Sequence, residues 1–328
     1  MKLFTLVFIS LVFLCDHVFG QNPPPGPLTH TFSIVARDSL SGEMGVAVQS
    51  HWFSVGTIVT WAEAGVGAVA TQSFANPAFG PEGLALLKSD KTAQKALDLL
   101  IAADDGRDFR QLAIVDSKGN VATWTGPKCI ADAGHITGEQ FSVQANMMLN
   151  DRIWPAMAKA YREGEGDLAD RLIAALEAAQ DAGGDIRGKQ SAAILIVKAE
   201  SSGRVWRDRV VDLRVDDHPA PIRELKRLLQ VDRAYKHMNA GDAAIEENDV
   251  EKALREYGAA EVLFPDNLEM KYWHAVSLAN IGRIDEALVI FGEVFRQDEN
   301  WQELTRRIVK PGLITVSQED LQKILNLP

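Results

Sequence analysis

Cysteine is nearly absent from this 328-residue chain, which contains only Cys15 and Cys129. Two cysteines exclude a disulfide framework and a zinc site built from thiolates. GxGxxG, GxxxxGKS and GxxxxGKT segments are missing as well, so no nucleotide cofactor is expected. Basic residues are outnumbered, and the net charge of −11 argues against a nucleic-acid partner, because neutralising phosphates requires clustered Lys and Arg.

The apolar run at residues 3–14 is too short to span a bilayer, and a proline-rich segment follows it. Lys2 precedes the run and Gly20 offers a small residue to a signal peptidase. We therefore predict a signal peptide at 1–20 and a proline-rich leader at 21–28. The mature protein is expected to be secreted or periplasmic, without stable membrane insertion. A membrane anchor is the alternative, and after cleavage Cys129 would remain as a single, buried and inert thiol.

The hydrophobic pattern between residues 29 and 218 alternates between groups of strands and groups of helices. Strands are predicted at 31–37, 45–49, 57–61, 66–71, 112–115, 121–124, 191–198 and 209–215. Helices are predicted at about 81–88, 91–103, 151–163 and 167–181. Hairpins with grouped helices predict an α+β domain in which helices cover antiparallel sheet layers.

Residues 219–328 are predicted to be helical almost to the end, and they contain an internal repeat. Ala253-Leu254 recurs as Ala287-Leu288, and Tyr257 recurs as Phe291, at an offset of 34 residues. This resembles the tetratricopeptide repeat, with units at about 234–267 and 268–301. The flanking helices, at about 219–230 and 317–326, are expected to cap them. Such a module implies a protein or peptide partner.

Five segments of the first domain together resemble the bacterial family called domain of unknown function 1028. They lie at residues 31–38 (TFSIVARD), 65–80, 125–147, 188–197 and 212–219. The resemblance implies an αββα sandwich similar to the N-terminal nucleophile hydrolases, although the family's own activity is not established. In that class a Thr, Ser or Cys attacks an amide, and its free α-amine serves as the general base.

The resemblance aligns Thr31 with the first residue of the family, which makes Thr31 the candidate nucleophile. Residues 21–30 would still precede it after signal cleavage, and an amide nitrogen is not a base. Three alternatives remain open: a later cut between His30 and Thr31, a catalytic residue elsewhere, or no catalysis. Thr31 is also an ordinary β-branched residue for the start of a strand.

Supporting side chains are predicted around this position. His51 follows the second strand, where the wider class places a basic residue, although a solvated strand-end histidine fits equally well. Substrate-binding candidates are the polar residues Thr71, Gln72, Asn76, Gln144 and Asn146. Capping of a turn by Asn76, and satisfaction of buried backbone by the amides of Gln144 and Asn146, are the structural alternatives.

No metal or other cofactor is expected, because glycines interrupt the one His-and-Glu pair spaced four apart, His135 and Glu139. Two functions therefore stay open. One is a secreted amide hydrolase that works by acyl transfer through Thr31. The other is a non-catalytic envelope scaffold that binds a partner through its repeats.

Overall fold

The computed structural model describes residues 26–247 and 249–328, so the predicted signal peptide lies outside the described residues. The strands are β1 (Leu28–Thr29), β2 (Thr31–Arg37), β3 (Met44–Ser50), β4 (Thr60–Glu63), β5 (Gly67–Phe74), β6 (Arg110–Asp116), β7 (Val121–Thr125), β8 (Gly134–Gly138), β9 (Phe141–Ala145), β10 (Ser191–Val197) and β11 (Arg209–Val215). The helices are α1 (Gly56–Val59), α2 (Phe79–Lys88), α3 (Ala93–Ala103), α4 (Ile153–Glu163), α5 (Leu168–Asp181), α6 (Val205–Asp208), α7 (Pro221–Glu246), α8 (Val250–Leu263), α9 (Leu268–Asn280), α10 (Ile284–Gln297), α11 (Asn300–Ile308) and α12 (Gln318–Leu325). The chain is thus a mixed α+β protein with a helical C-terminal region.

The larger sheet is antiparallel, with strands in the order β11-β10-β3-β2-β9-β8. Strand alternation divides β2 between two environments. Phe32, Ile34 and Ala36 pack in one core cluster with residues of α4, α5 and the start of α7. Val35 belongs instead to a cluster shared with the other sheet. Helices therefore cover one face of this sheet and the second sheet covers the other.

The smaller sheet runs β1-β5-β6-β7, with β4 beside β5, and it is also antiparallel. Small and β-branched residues such as Ala70 and Val115 face the larger sheet. Leu112 and Ile114, on the opposite face, pack against α2 and α3. Burial on both faces explains why β5 and β6 read as nearly continuous apolar runs.

The predicted strand at 57–61 is wrong over most of its length, because Gly56–Val59 forms a helical turn and β4 begins only at Thr60. The hydroxyl of Thr60 donates to the carbonyl of Gly56 at 2.7 Å, and that of Thr57 donates to the carbonyl of Ser54 at 2.8 Å. These local hydrogen bonds override the β propensity of the branched side chains.

Gly134 and Gly138 predict a loop around His135 and Glu139, but β8 occupies 134–138 and pairs with β9. A Cβ on Gly134 would lie 2.7 Å from the Trp154 ring, so this strand needs glycine where the ring packs closely. The turn into β9 is made by Gln140 at a positive φ of 60°.

The helical region begins with α7, which is 26 residues long and replaces the separate helices predicted at about 219–230 and 234 onward. No proline or glycine interrupts residues 222–240. No helix within residues 26–247 or 249–328 combines the length and the apolar character that crossing a membrane requires.

Candidate functional site

The two sheets meet at the start of β2, where Thr31 is fully buried. The preceding residues run along the other sheet, since β1 pairs with the end of β5 and the Ala75 amide donates to the Pro27 carbonyl at 3.0 Å. His30 is therefore the link between the two sheets. The Thr31 hydroxyl donates to the Thr29 carbonyl oxygen at 2.7 Å, so the residues directly before Thr31 engage the candidate nucleophile.

The carbonyl oxygen of His30 accepts two hydrogen bonds. Ser50 donates from its hydroxyl at 2.6 Å, and Arg187 donates from Nη2 at 2.8 Å. Asp185 orients this guanidinium by accepting from its Nε at 3.0 Å and from its Nη2 at 2.7 Å. The arrangement polarises the peptide carbonyl directly before Thr31, as an oxyanion hole polarises a scissile carbonyl.

The imidazole of His30 is buried in a pocket between the sheets. Its Nδ1 lies 2.7 Å from Asn146 Oδ1, and its ring meets Phe74 edge-on at a centroid distance of 5.5 Å. Burial lowers the pKa of His30, because the low-dielectric surroundings disfavour the charged ring. A neutral imidazole therefore occupies the pocket near neutral pH.

A network of neutral amides supports Thr31 from the smaller sheet. Gln72 Nε2 donates to the Thr31 carbonyl at 3.1 Å and to Gln111 Oε1 at 2.6 Å. Gln72 Oε1 accepts from the Ser33 hydroxyl at 2.6 Å, and Ser33 also accepts from Gln144 Nε2 at 3.2 Å. All five residues of this network are fully buried: Thr31, Ser33, Gln72, Gln111 and Gln144. Their hydrogen bonds connect the two sheets.

The structure brings together four of the residues singled out in the sequence: Thr31, Gln72, Gln144 and Asn146. Three others point elsewhere. Thr71 donates to the Asn76 carbonyl at 3.1 Å, and Asn76 Oδ1 accepts from the Ala78 amide at 3.2 Å, so both stabilise the turn after β5. His51 is exposed and reaches the site through its backbone, whose amide donates to Asp185 Oδ2 at 3.2 Å.

Sequence reasoning missed five residues of the site: His30, Ser50, Gln111, Asp185 and Arg187. Asp185 and Arg187 follow Gly183-Gly184, just beyond the helix predicted at 167–181. The contact of Arg187 with His30 spans 157 positions along the chain, and no periodicity signals such a contact. Ser50 could have been found, because it lies directly opposite Thr31 in the β2–β3 hairpin.

Within the described residues, no group of three or more His, Cys, Asp or Glu side chains is arranged to hold a metal ion. Cys129 is half-buried rather than fully buried, and burial raises the pKa of its thiol. The side chains that donate hydrogen bonds to the His30 and Thr31 carbonyls carry hydroxyl, guanidinium and amide groups.

Comparisons with known proteins bear on the first domain. The family described as "family of unknown function (DUF1028)" matches residues 31–225, so the match begins at Thr31. The chain is also similar to a protein from Silicibacter pomeroyi whose crystal structure is described as DUF1028. The two are 32% identical, the match covers 62% of this chain and 85% of that one, and the TM-score is 0.56. No curated protein matches the chain.

Proposed function

The chain belongs to the family of unknown function DUF1028, and for this member we propose an amide hydrolase that uses Thr31 as an N-terminal nucleophile. The proposal requires that the bond between His30 and Thr31 is first cut. One observation carries it: the His30 carbonyl, directly before a buried Thr hydroxyl, is held by Ser50 and by the guanidinium of Arg187. A peptide carbonyl that accepts a charge-assisted hydrogen bond is activated toward attack.

The processing step is an internal acyl transfer. Thr31 Oγ1 forms a bond to the carbonyl carbon of His30, the bond from that carbon to the Thr31 nitrogen breaks, and the hydroxyl proton moves to this nitrogen. Water then hydrolyses the ester, which leaves a carboxylate on His30 and restores the hydroxyl. Ser50 and Arg187 would stabilise the negative charge on the carbonyl oxygen as it develops.

The amidase step follows the same route with an external amide. The new α-amine of Thr31, with an ordinary pKa near 8, accepts the proton from Oγ1 during attack and delivers it to the leaving amine. Water then releases the acyl group from Oγ1. Gln72 and Asn146 would hold the Thr31 main chain through its carbonyl, to which both side chains donate.

We assign the first domain to the αββα sandwich of the N-terminal nucleophile hydrolases. Two antiparallel sheets with a shared core, helices outside both, and a candidate nucleophile at the start of a central strand support this assignment. The predicted export of the protein makes envelope peptides or small amides the proposed substrates.

We assign the C-terminal helices to a tetratricopeptide-like module. Helices α8 and α10 are both 14 residues long and begin 34 positions apart, at Val250 and Ile284. The repeated residues Ala253 and Ala287 are both buried, as are Tyr257 and Phe291. A peptide or protein partner is proposed for this module.

The non-catalytic scaffold is the second candidate, and one observation favours it. In the intact chain Thr31 is covered by residues 26–30, and its hydroxyl is engaged by the Thr29 carbonyl. If residues 21–30, called the leader from here on, stay attached, the first domain is a closed structural unit and the helical module carries the function.

The N-terminus of the purified protein tests the proposal. Protein expressed from Gln21 is incubated and followed by intact mass, and we expect residues 21–30 to be lost in the wild type and retained in Thr31→Ala. Thr31→Ser should keep part of the rate, since its hydroxyl survives. A wild-type leader that persists, together with no amide hydrolysis by protein expressed with Thr31 as its first residue, would favour the scaffold.

A further inference from the structure

The pocket around the His30 side chain has a fixed hydrogen-bonding polarity. On the basis of the proposed hydrolase activity, we infer that this pocket is the acyl subsite of the enzyme. It would take a neutral, planar side chain that donates a hydrogen bond, such as an imidazole or a carboxamide.

The place of the acyl group follows from the chemistry of processing. In the intact chain His30 is the acyl group on the Thr31 nitrogen, and processing moves it to Oγ1 of the same residue. An external amide forms the same kind of ester on the same oxygen. Its carbonyl oxygen would take the place that Ser50 and Arg187 now give to the His30 oxygen. The side chain of the substrate's acyl residue would then enter the His30 pocket.

Backbone carbonyls set the polarity of this pocket through two amides. Gln111 Nε2 donates to the carbonyls of Ala145 at 2.9 Å and Gly134 at 3.3 Å, which fixes Gln111 Oε1 as the acceptor. Asn146 Nδ2 donates to that Oε1 at 2.8 Å, so Asn146 Oδ1 must be the atom that faces His30. The pocket therefore presents an acceptor and requires a donor.

The other walls of the pocket favour a planar and uncharged group. Phe74 presents its ring at 86° to the imidazole, an edge-on contact that suits an aromatic or amide plane. Arg187 disfavours a cation, and Asp185 is already engaged by the Arg187 guanidinium. An aliphatic side chain would leave Asn146 Oδ1 buried without a hydrogen-bond donor. A carboxylate would place its own acceptor oxygens next to Asn146 Oδ1, and the two would repel each other.

Self-cleavage of the full chain gives the first test, because position 30 can be varied while Thr31 stays unchanged. The rates of leader loss are measured by intact mass for wild type, His30→Asn, His30→Leu and His30→Glu. We expect His30→Asn to stay within tenfold of wild type. His30→Leu and His30→Glu should be slower by about tenfold to a hundredfold, the effect of one buried unpaired polar atom. Thermal unfolding of the same variants carrying Thr31→Ala checks that the leader region still folds.

External substrates give the second test. Processed full-length protein is assayed with the 4-nitroanilides of N-acetyl-histidine, N-acetyl-glutamine, N-acetyl-leucine and N-acetyl-glutamate. The first two should be preferred by at least tenfold in kcat/KM, and Asn146→Ala should remove most of that preference. Equal rates for histidine and leucine in both tests would overturn the acyl-subsite inference and leave the hydrolase proposal standing. No cleavage before Thr31 in any chain, and no release of nitroaniline by protein lacking the leader, would overturn both.

Discussion

The proposed activation of the peptide bond between His30 and Thr31 depends on the two hydrogen bonds that the His30 carbonyl accepts. Ser50 is the simpler of the two donors to test, because its hydroxyl, at the end of β3, donates a single hydrogen bond to the His30 carbonyl. We expect Ser50→Ala to slow leader loss by about a hundredfold, the usual effect of removing one oxyanion donor. The measurement is the rate of leader loss by intact mass.

Ser142 provides the matched control for this variant. It is another fully buried strand serine, and its hydroxyl accepts from Thr123 at 2.6 Å and does not contact His30. Ser50→Ala and Ser142→Ala should each lower the free energy of unfolding by about 1 kcal/mol. Only the first should change the rate of leader loss, and equal slowing by both would remove Ser50 from the mechanism.

The buried imidazole of His30 predicts a pH dependence of stability. Burial lowers its pKa in the folded protein, while the unfolded chain titrates near 6.5. Between these two pKa values the unfolded state binds more protons, so the free energy of unfolding falls as the pH decreases below about 6.5. The slope contributed by one such group cannot exceed about 1.4 kcal/mol per pH unit.

Urea unfolding of Thr31→Ala, which retains its leader, measures this dependence between pH 8 and pH 5. The same series with His30→Asn added isolates the contribution of the imidazole, because asparagine does not titrate. We expect the double variant to lose less stability on acidification. Parallel curves for the two proteins would show that His30 is not the responsible group.

The candidate site could be predicted from the sequence only where its residues share a strand or a family segment. Gln144 and Asn146 lie in the family segment at 125–147 and are two positions apart, a spacing that places both on one face of a strand. Asp185 and Arg187 were not predicted, since their role depends on the Asp185 side chain orienting Arg187 toward His30, which is distant in the sequence. Long-range side-chain geometry of this kind leaves no local pattern.

Helices α7 and α8 approach each other closely at one glycine. A Cβ on Gly241 of α7 would lie 2.5 Å from the ring of Tyr257 in α8, whereas a Cβ on Gly258 would meet no atom within 4 Å. Gly258→Ala should therefore raise the free energy of unfolding by up to about 1 kcal/mol through helix propensity. Gly241→Ala should lower it by about 1–2 kcal/mol, because overpacking outweighs the same gain.

Chemical denaturation of the two alanine variants beside the wild type measures both effects. Both variants replace a helical glycine by alanine, so both gain the same stability from helix propensity. The difference between their free energies of unfolding therefore reports the contact with Tyr257. If Gly241→Ala were as stable as Gly258→Ala, α7 and α8 would not pack as closely as described. The repeat assignment would then lose the support of a close contact between α7 and α8.

Elements with strong periodicity were predicted within a few residues, and the errors have local causes. The strands at 31–37 and 209–215 and the helix at 167–181 agree with β2, β11 and α5. The strand β8 was missed because glycine at both ends is typical of a loop. Its glycines instead admit the rings of Trp154 and Phe141, a requirement that only the packed structure reveals.

At the scale of the whole molecule, α7 belongs to both halves. Its first turns insert Ile222, Leu225 and Leu229 into the core beneath the larger sheet. Its later turns place Ala234 and Met238 in the core formed with α8 and α9. The predicted division after residue 218 therefore lies ahead of a helix that completes the first core.

Two truncations separate the contributions of this shared helix. A chain that ends at Gln230 keeps all three inserted side chains, and we expect it to fold cooperatively without residues 231–328. A chain that ends at His218 loses Ile222, Leu225 and Leu229, each of which is almost fully buried. Fully burying one such side chain contributes about 1.5–3 kcal/mol, so the loss approaches the whole stability of a typical domain.

Thermal unfolding and the dispersion of proton NMR signals would distinguish the two chains. The shorter chain should be molten or insoluble, and equal cooperativity in both would mean that the sheets and α5 suffice. A molten chain ending at Gln230 would mean that the helical module completes the core.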